Sequence, residues 1–331
     1  MSRSIRMKII VLLTLLLHVV ISVNVNAQER LIGSHDPVAI REGDYYYVFA
    51  TGNGISVMRS ADMKNWTRLS PVFKTPPQWT TETIHAFEGH IWAPDIIRHN
   101  GQYYLYYSIS SFGKRTSAIG VATAKTLDPE SPDFGWTDHG MVVRSYEGCN
   151  WNAIDPNIII DEKGIPWMTF GSWWDGIQLV RLQNDLLRLQ QPEEWHVLSS
   201  RSRDENGRYI GNIGAVEAPF LFQKEGYYYL FVSFDNCCAG VNSTYKVAVG
   251  RSKDIHGPYL DREGKDMLQG GGTIVVQGND RFPGVGHQAV YRFESKDYLF
   301  FHAYDRDDNG RSKLLVREIA WDETGWPSVR L

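Results

Sequence analysis

The sequence predicts an all-β fold, a five-bladed β-propeller with a central channel that gathers residues of one repeated phrase. Three observations carry this. A short phrase recurs five times: a polar or acidic residue beside a small apolar pair, an apolar strand, a turn, then an aromatic-rich strand. Anchored on Asp36, Asp95, Asp155, Glu217 and His287, the copies lie 59, 60, 62 and 70 residues apart. Between the anchors run several short β-prone stretches split by turn residues, with little helical periodicity. Units of that kind suit four-stranded blades arranged in a closed ring.

The copies follow in order. The first is His35-Asp36-Pro37-Val38-Ala39-Ile40, a turn at Gly43-Asp44 and an aromatic strand over 45–49. The second is Ala93-Pro94-Asp95-Ile96-Ile97, a turn at Asn100-Gly101 and a strand over 103–107. The third runs from Ile154-Asp155-Pro156 through Lys163-Gly164 to 166–170, and the fourth from Glu217-Ala218-Pro219 through Glu225-Gly226 to 227–232. His287-Gln288-Ala289-Val290-Tyr291 opens the fifth, which continues over 298–302. Pro follows Asp36 and Asp155 directly and Glu217 two residues on. It biases the preceding residue away from helix and removes a ladder donor, so these positions suit the starts of inner strands. In a propeller those starts converge, and acids far apart in sequence come to share one channel.

Composition narrows the function. With 331 residues, 43% of them apolar, the chain can bury a core without disulfide or metal staples. A formal charge of −4 argues against a nucleic-acid partner. Eleven Trp and seventeen Tyr suit sugar-stacking platforms as well as packing. At the N-terminus, Arg3, Arg6 and Lys8 precede an apolar run over 9–20 and then Val25-Asn26-Ala27. This is the pattern of a secretory signal peptide over residues 1–27, with a propeller over 28–331. The run is short for a membrane span, so the expected mature protein has no span and is secreted or periplasmic. The three cysteines, Cys149, Cys237 and Cys238, form no metal-binding spacing. The adjacent pair can stay reduced or form a vicinal disulfide. Nothing in the sequence fixes the oligomeric state.

Carboxylates drawn into one channel equip a site for glycosidic bond hydrolysis. One carboxyl must hold a proton for the leaving group while another, ionised, acts on water or sugar. Crowding separates their pKa values, which permits both states at once. Asp36, Asp155 and Glu217 supply the groups; chemistry alone does not distribute the roles.

Ser34-His35-Asp36-Pro37, Trp92-Ala93-Pro94-Asp95, Asn152-Ala153-Ile154-Asp155-Pro156, Val216-Glu217-Ala218-Pro219-Phe220 and Gly286-His287-Gln288-Ala289 resemble glycoside hydrolase family 43. Within it they look most like the endo-1,5-α-L-arabinanases, supported by Thr51-Gly52-Asn53-Gly54-Ile55, Gly171-Ser172-Trp173-Trp174 and the Cys237-Cys238-Ala239-Gly240 region. The resemblance implies an inverting hydrolase with Asp36 as general base, Glu217 as general acid, and Asp155 raising the acid's pKa and orienting it. Inversion implies a base–acid separation of roughly 6.5–9.5 Å. It also implies a calcium ion facing His287, coordinated largely by water. Trp92, Phe112, Asn152, Ser172, Trp173 and Trp174 are the implied substrate contacts, and arabinan or its oligosaccharides the partner. Asp95 is open between cleft support and a blade-positioning hydrogen bond. Gln288 and the Trp173-Trp174 pair depart from the commoner family pattern. Alternatives are an exo-acting arabinanase, an α-L-arabinofuranosidase or a β-xylosidase of the same family, and a non-catalytic sugar-binding propeller.

Overall fold

The computed structural model describes residues 31–210 and 215–331. The expected signal peptide lies outside them. Five antiparallel blades follow one another along the chain. Blade I is built from Val38–Glu42, Tyr45–Ala50, Ser56–Ser60 and Thr67–Arg68. Blade II comprises His90–His99, Gln102–Ile109, Ser117–Ala124 and Thr137–Ser145, with Gly52–Asn53 added beside its first strand. Blade III is Asn157–Ile160, Pro166–Phe170, Ile177–Arg181 and Trp195–Ser199. Blade IV is Val216–Lys224, Tyr227–Phe234, Lys246–Ser252 and Thr273–Gln277. Blade V has three strands of its own, Val285–Phe293, Lys296–Asp305 and Arg311–Glu318. Its fourth comes from the other end of the chain: Gly33 bridges Lys313, Ser34 N–H donates to the Ser312 carbonyl, and Leu314 N–H to that of Ile32. The ring closes by this clasp.

The aromatic strands do not alternate apolar and polar because both of their faces are buried. Successive side chains point instead to different neighbours. In blade II, Tyr103, Leu105 and Tyr107 join the large cluster containing Phe49 and Val57 of blade I. Tyr104 and Tyr106 join Ile158, Met168 and Phe170 of blade III. In blade IV, Tyr228, Leu230 and Val232 pack with Trp167, Leu179 and Leu198 of blade III, while Tyr229 and Phe231 face the other way. Each such buried side chain contributes about 1.5–3 kcal/mol. Blades are therefore glued in series.

The inner strands begin at the same end of the ring, so second-to-third-strand loops and blade-to-blade connections emerge there. Loops between third and fourth strands leave from the opposite end. Among the described residues no helix is long and apolar enough to cross a membrane.

Candidate active site

Each inner strand opens on a residue in the left-handed region: Asp36 (φ 52°), Ala93 (34°), Asp155 (60°), Ala218 (52°) and His287 (50°). Such a backbone is uncommon for residues other than Gly and Asn. Five occurrences at equivalent places mark a device of the fold. In blades II, IV and V a β-bulge accompanies it, at Trp92/Asp95, Glu217/Phe220 and Gly286/Ala289. The true repeat heads of blades II and IV are thus Ala93 and Ala218, where the sequence spacing favoured Asp95 and Glu217. Glu217 still reaches the channel, one residue before its head.

The head N–H groups need partners, and the preceding blade supplies them. Ala93 N–H donates to Thr51 Oγ1 at 2.8 Å, Asp155 N–H to Ser108 Oγ at 3.0 Å, His287 N–H to Ser233 Oγ at 2.8 Å and Asp36 N–H to His302 Nδ1 at 3.1 Å. Blade III has Gly171 at the corresponding place, where an added Cβ would lie 2.5 Å from the Gly176 carbonyl oxygen. There Asp155 itself takes the Ala218 N–H on Oδ2, at 3.1 Å. One catalytic candidate thereby fixes the backbone beside another.

Asp36 is buried and densely partnered. His287 Nδ1 stands 3.0 Å from Oδ1 and His35 Nδ1 2.9 Å from Oδ2, which the Thr51 hydroxyl also reaches. Burial pushes its pKa up, but His287, His35 and His302 outweigh burial and hold it well below the usual carboxylate range. Glu217 moves the other way. Burial raises it and the Asp36 charge adds to the rise, while the Ser172 and Tyr245 hydroxyls oppose it. Ser172 Oγ donates to Glu217 Oε2 at 2.8 Å. Asp155 is pushed well above its ordinary value by burial and then by the Glu217 and Asp36 charges. Burial and mutual charge thus push Glu217 and Asp155 up while the imidazoles push Asp36 down.

Around the pair runs a network that the sequence did not reveal. His302 Nδ1 accepts from Asp36 N–H, so its proton sits on Nε2, 3.2 Å from the Tyr304 hydroxyl. That hydroxyl also accepts the Cys238 N–H at 2.7 Å and stands 3.0 Å from His35 Nε2. On the far side, Ser233 donates to Gln288 Oε1 and Gln288 Nε2 to the Ala218 carbonyl, both at 2.7 Å. Gln288 so ties blade V to the backbone next to Glu217. Thr51 directly follows the aromatic strand of blade I, and Ser108 and Ser233 are the next-to-last residues of those in blades II and IV.

The remaining expected residues divide. Asp95 is buried between blades, accepting Ile158 N–H at 2.7 Å and Asn157 Nδ2 at 3.3 Å, and burial, only partly offset by these donors, raises its pKa to about 7. It staples blades II and III. Asn152 is buried and accepts from Ser117 Oγ at 2.7 Å. Phe112 is 78% exposed and Trp173 39%, both on loops at the mouth, and Trp92 is half-buried. Trp173 and Trp174 are consecutive left-handed residues (φ 59° and 43°), at a cost of order 1–3 kcal/mol each. Trp173 N–H donates to the Val216 carbonyl at 3.0 Å, which anchors this turn beside Glu217. Cys237 and Cys238 form a vicinal disulfide on the blade IV mouth loop, and Cys149 is free and buried.

Among the described residues, the channel's one cluster of possible metal ligands is His35, Asp36 and His302. Calcium takes six to eight oxygens. This cluster offers one carboxylate, already engaged by imidazoles and Thr51, and a His302 Nδ1 lone pair taken by a backbone N–H. It does not fit a calcium ion ligated by protein oxygens.

The sequence profile of glycosyl hydrolases family 43 matches residues 32–327. An extracellular exo-α-(1→5)-L-arabinofuranosidase of Cellvibrio japonicus is 48% identical over 91% of this chain and 87% of its own. An extracellular endo-α-(1→5)-L-arabinanase of Bacillus subtilis is 46% identical over 89% and 87%. The crystal structure of an exo-1,5-α-L-arabinanase from a bovine ruminal metagenomic library superposes with a TM-score of 0.86 at 50% identity, covering 92% of this chain and 99% of that one. Channel, blades and comparisons agree: the chain belongs to glycosyl hydrolases family 43 and is an enzyme.

Proposed function

We propose that this enzyme hydrolyses α-1,5-linked arabinan by inversion and releases its product from chain ends. The observation that carries the chemistry is the opposed pair in one channel, Asp36 beside three imidazoles that lower its pKa and Glu217 with a pKa raised by burial and the Asp36 charge. Asp36 takes a proton from water as its oxygen attacks the anomeric carbon. Glu217 gives its proton to the departing glycosidic oxygen as the bond breaks. Asp155 keeps Glu217 in place through the Ala218 N–H, and its own reluctance to ionise limits the charge in the channel. Products leave with Asp36 protonated and Glu217 ionised, and solvent resets both. Trp92, Phe112, Trp173 and Trp174 offer ring faces to the sugars, with Asn152 and Ser172 behind them.

Exo action is favoured over the endo action expected from sequence because relatives named for it stand at 48% and 50% identity. Endo cleavage is the second reading, supported by the Bacillus subtilis relative at 46%. Export through a signal peptide over 1–27 is part of the proposal, in keeping with the extracellular relatives. A calcium ion at His287 would have to draw its shell mainly from water, and no step above depends on it. Comparison of thermal unfolding with and without a chelator tests for it.

The test of function is product size over time on linear α-1,5-arabinan, with Glu217→Ala alongside. Arabinose or one oligosaccharide of fixed length from the first time point, absent in the variant, is the expected result. A broad ladder of intermediates would return the reading to endo action. No cleavage by the wild type would overturn the substrate.

A further inference from the structure

Away from the mouth, at the opposite end of the ring, Glu194, His196 and His256 bring one possible ligand atom each within 4.8 Å of one another. Glu194 directly precedes the outer strand of blade III and His196 is its second residue, and His256 lies in the loop between the third and fourth strands of blade IV. Glu194 Oε1 stands 3.3 Å from His196 Nε2 and 3.8 Å from His256 Nε2. The two rings lie with centroids 4.4 Å apart, and the buried Trp167 indole sets its plane edge-on to His256 at 4.9 Å.

The protonation pattern is informative. His256 Nδ1 is 2.6 Å from Asp254 Oδ1, so Nδ1 carries the proton given to that carboxylate. That contact leaves Nε2 of His256 facing the cluster. That nitrogen is screened from solvent and has no hydrogen-bond partner. It faces a carboxylate oxygen, itself an acceptor, at a distance too long for a hydrogen bond. The same Glu194 Oε1 lies 3.3 Å from His196 Nε2, and Glu194 Oε2 lies 3.6 Å from the Arg181 guanidinium.

We propose that this cluster is a binding site for a divalent transition metal of the zinc class. Zinc binds imidazole nitrogen and carboxylate oxygen at about 2.0–2.2 Å in tetrahedral geometry, which spaces its ligands about 3.3–3.5 Å apart. The two separations from Glu194, 3.3 and 3.8 Å, bracket that spacing, and the third lies within 4.8 Å, so the two imidazoles would close on the ion by side-chain rotation. Two nitrogens and one oxygen suit zinc and its neighbours better than calcium or magnesium. Asp254 supplies the carboxylate behind a ligating histidine that orients the ring and raises its basicity. The three side chains are about one-third exposed, which leaves room for water as fourth ligand. An ion here would join blade III to blade IV. It would stabilise the ring without touching substrate.

The experiment is calorimetric titration of zinc chloride into the full chain, stripped with chelator and dialysed with calcium restored, alongside thermal unfolding. One zinc per chain and a raised Tm are expected, neither reproduced by magnesium. His256→Gln and Glu194→Gln should each weaken binding more than 10-fold, and Asp254→Asn 10–100-fold. Circular dichroism and arabinan turnover establish that each variant is folded; should His256→Gln fail this, Glu194→Gln carries the result. Absence of zinc uptake, or uptake unchanged in the folded variants and lost instead in His35→Asn, would overturn the site.

Discussion

Tyr304 sets the orientation of His35: its hydroxyl lies 3.0 Å from His35 Nε2 while His35 Nδ1 lies 2.9 Å from Asp36 Oδ2. The hydroxyl already accepts from Cys238 N–H and from His302 Nε2, so its own proton is left for His35. Tyr304 thus stands directly behind an imidazole that lowers the Asp36 pKa. Tyr304→Phe strands three polar groups and should destabilise the fold by about 1–3 kcal/mol. With His35 less firmly aimed, the acidic limb of the pH–rate profile should move to higher pH. A limb that stays in place in a folded variant contradicts this role.

The two catalytic candidates require opposite protonation. On the proposed mechanism Asp36 acts ionised and Glu217 protonated, which gives a bell-shaped dependence of kcat/KM on pH. The acidic limb should lie below the ordinary carboxylate range and the alkaline limb above that of a solvated glutamate. Asp36→Asn and Glu217→Gln should each lower kcat about 10²–10⁴-fold with folding retained. Steady-state rates across pH, with circular dichroism, check both statements.

Ser172 offers a finer probe. Its hydroxyl favours the ionised form of Glu217, so Ser172→Ala should shift the alkaline limb upward. It also fixes the carboxyl rotamer, and kcat should fall roughly 10–100-fold. A pure loss of KM with an unmoved limb would instead make Ser172 a sugar contact.

Asp95 should show itself in stability. Its folded pKa of about 7 lies above the unfolded value near 3.9, so the fold prefers the protonated form. The stability it contributes is complete below about pH 4 and is lost as pH rises through 7. Asp95→Asn keeps an acceptor for Ile158 N–H and removes the titration. Thermal melts at pH 5 and pH 8 should find the variant less pH-dependent than wild type. At pH 8 it should be the more stable by on the order of a few kcal/mol.

Much of the ring was legible because its heads combine an acid with a following Pro, a pairing that stands out in an otherwise apolar phrase. Asp36 and Asp155 sit at true heads for that reason. Blades II and IV misled the spacing because their left-handed residue is Ala93 or Ala218, and the bulge moves the conspicuous acid off the head by one or two places. Asp95, open in the sequence between cleft support and a blade-positioning hydrogen bond, accepts from a neighbouring strand. Thr51, Ser108, Ser233, His302 and Tyr304 were hidden differently. Each ends or interrupts an aromatic strand, and its partner lies in the adjoining blade. The pairing of Cys237 with Cys238 depended on a loop conformation that no spacing encodes.

The clasp that completes blade V ends at Ser34, and Asp36, the proposed base, follows two residues later. Asp36 also leans on His302 and His287, which belong to that same blade. If Asp36 is the base, its support therefore depends on the closed circle. A chain that has folded four blades but not joined its ends would lack His302 and His287 beside Asp36. Hydrolytic activity would then report on whether the circle has been sealed.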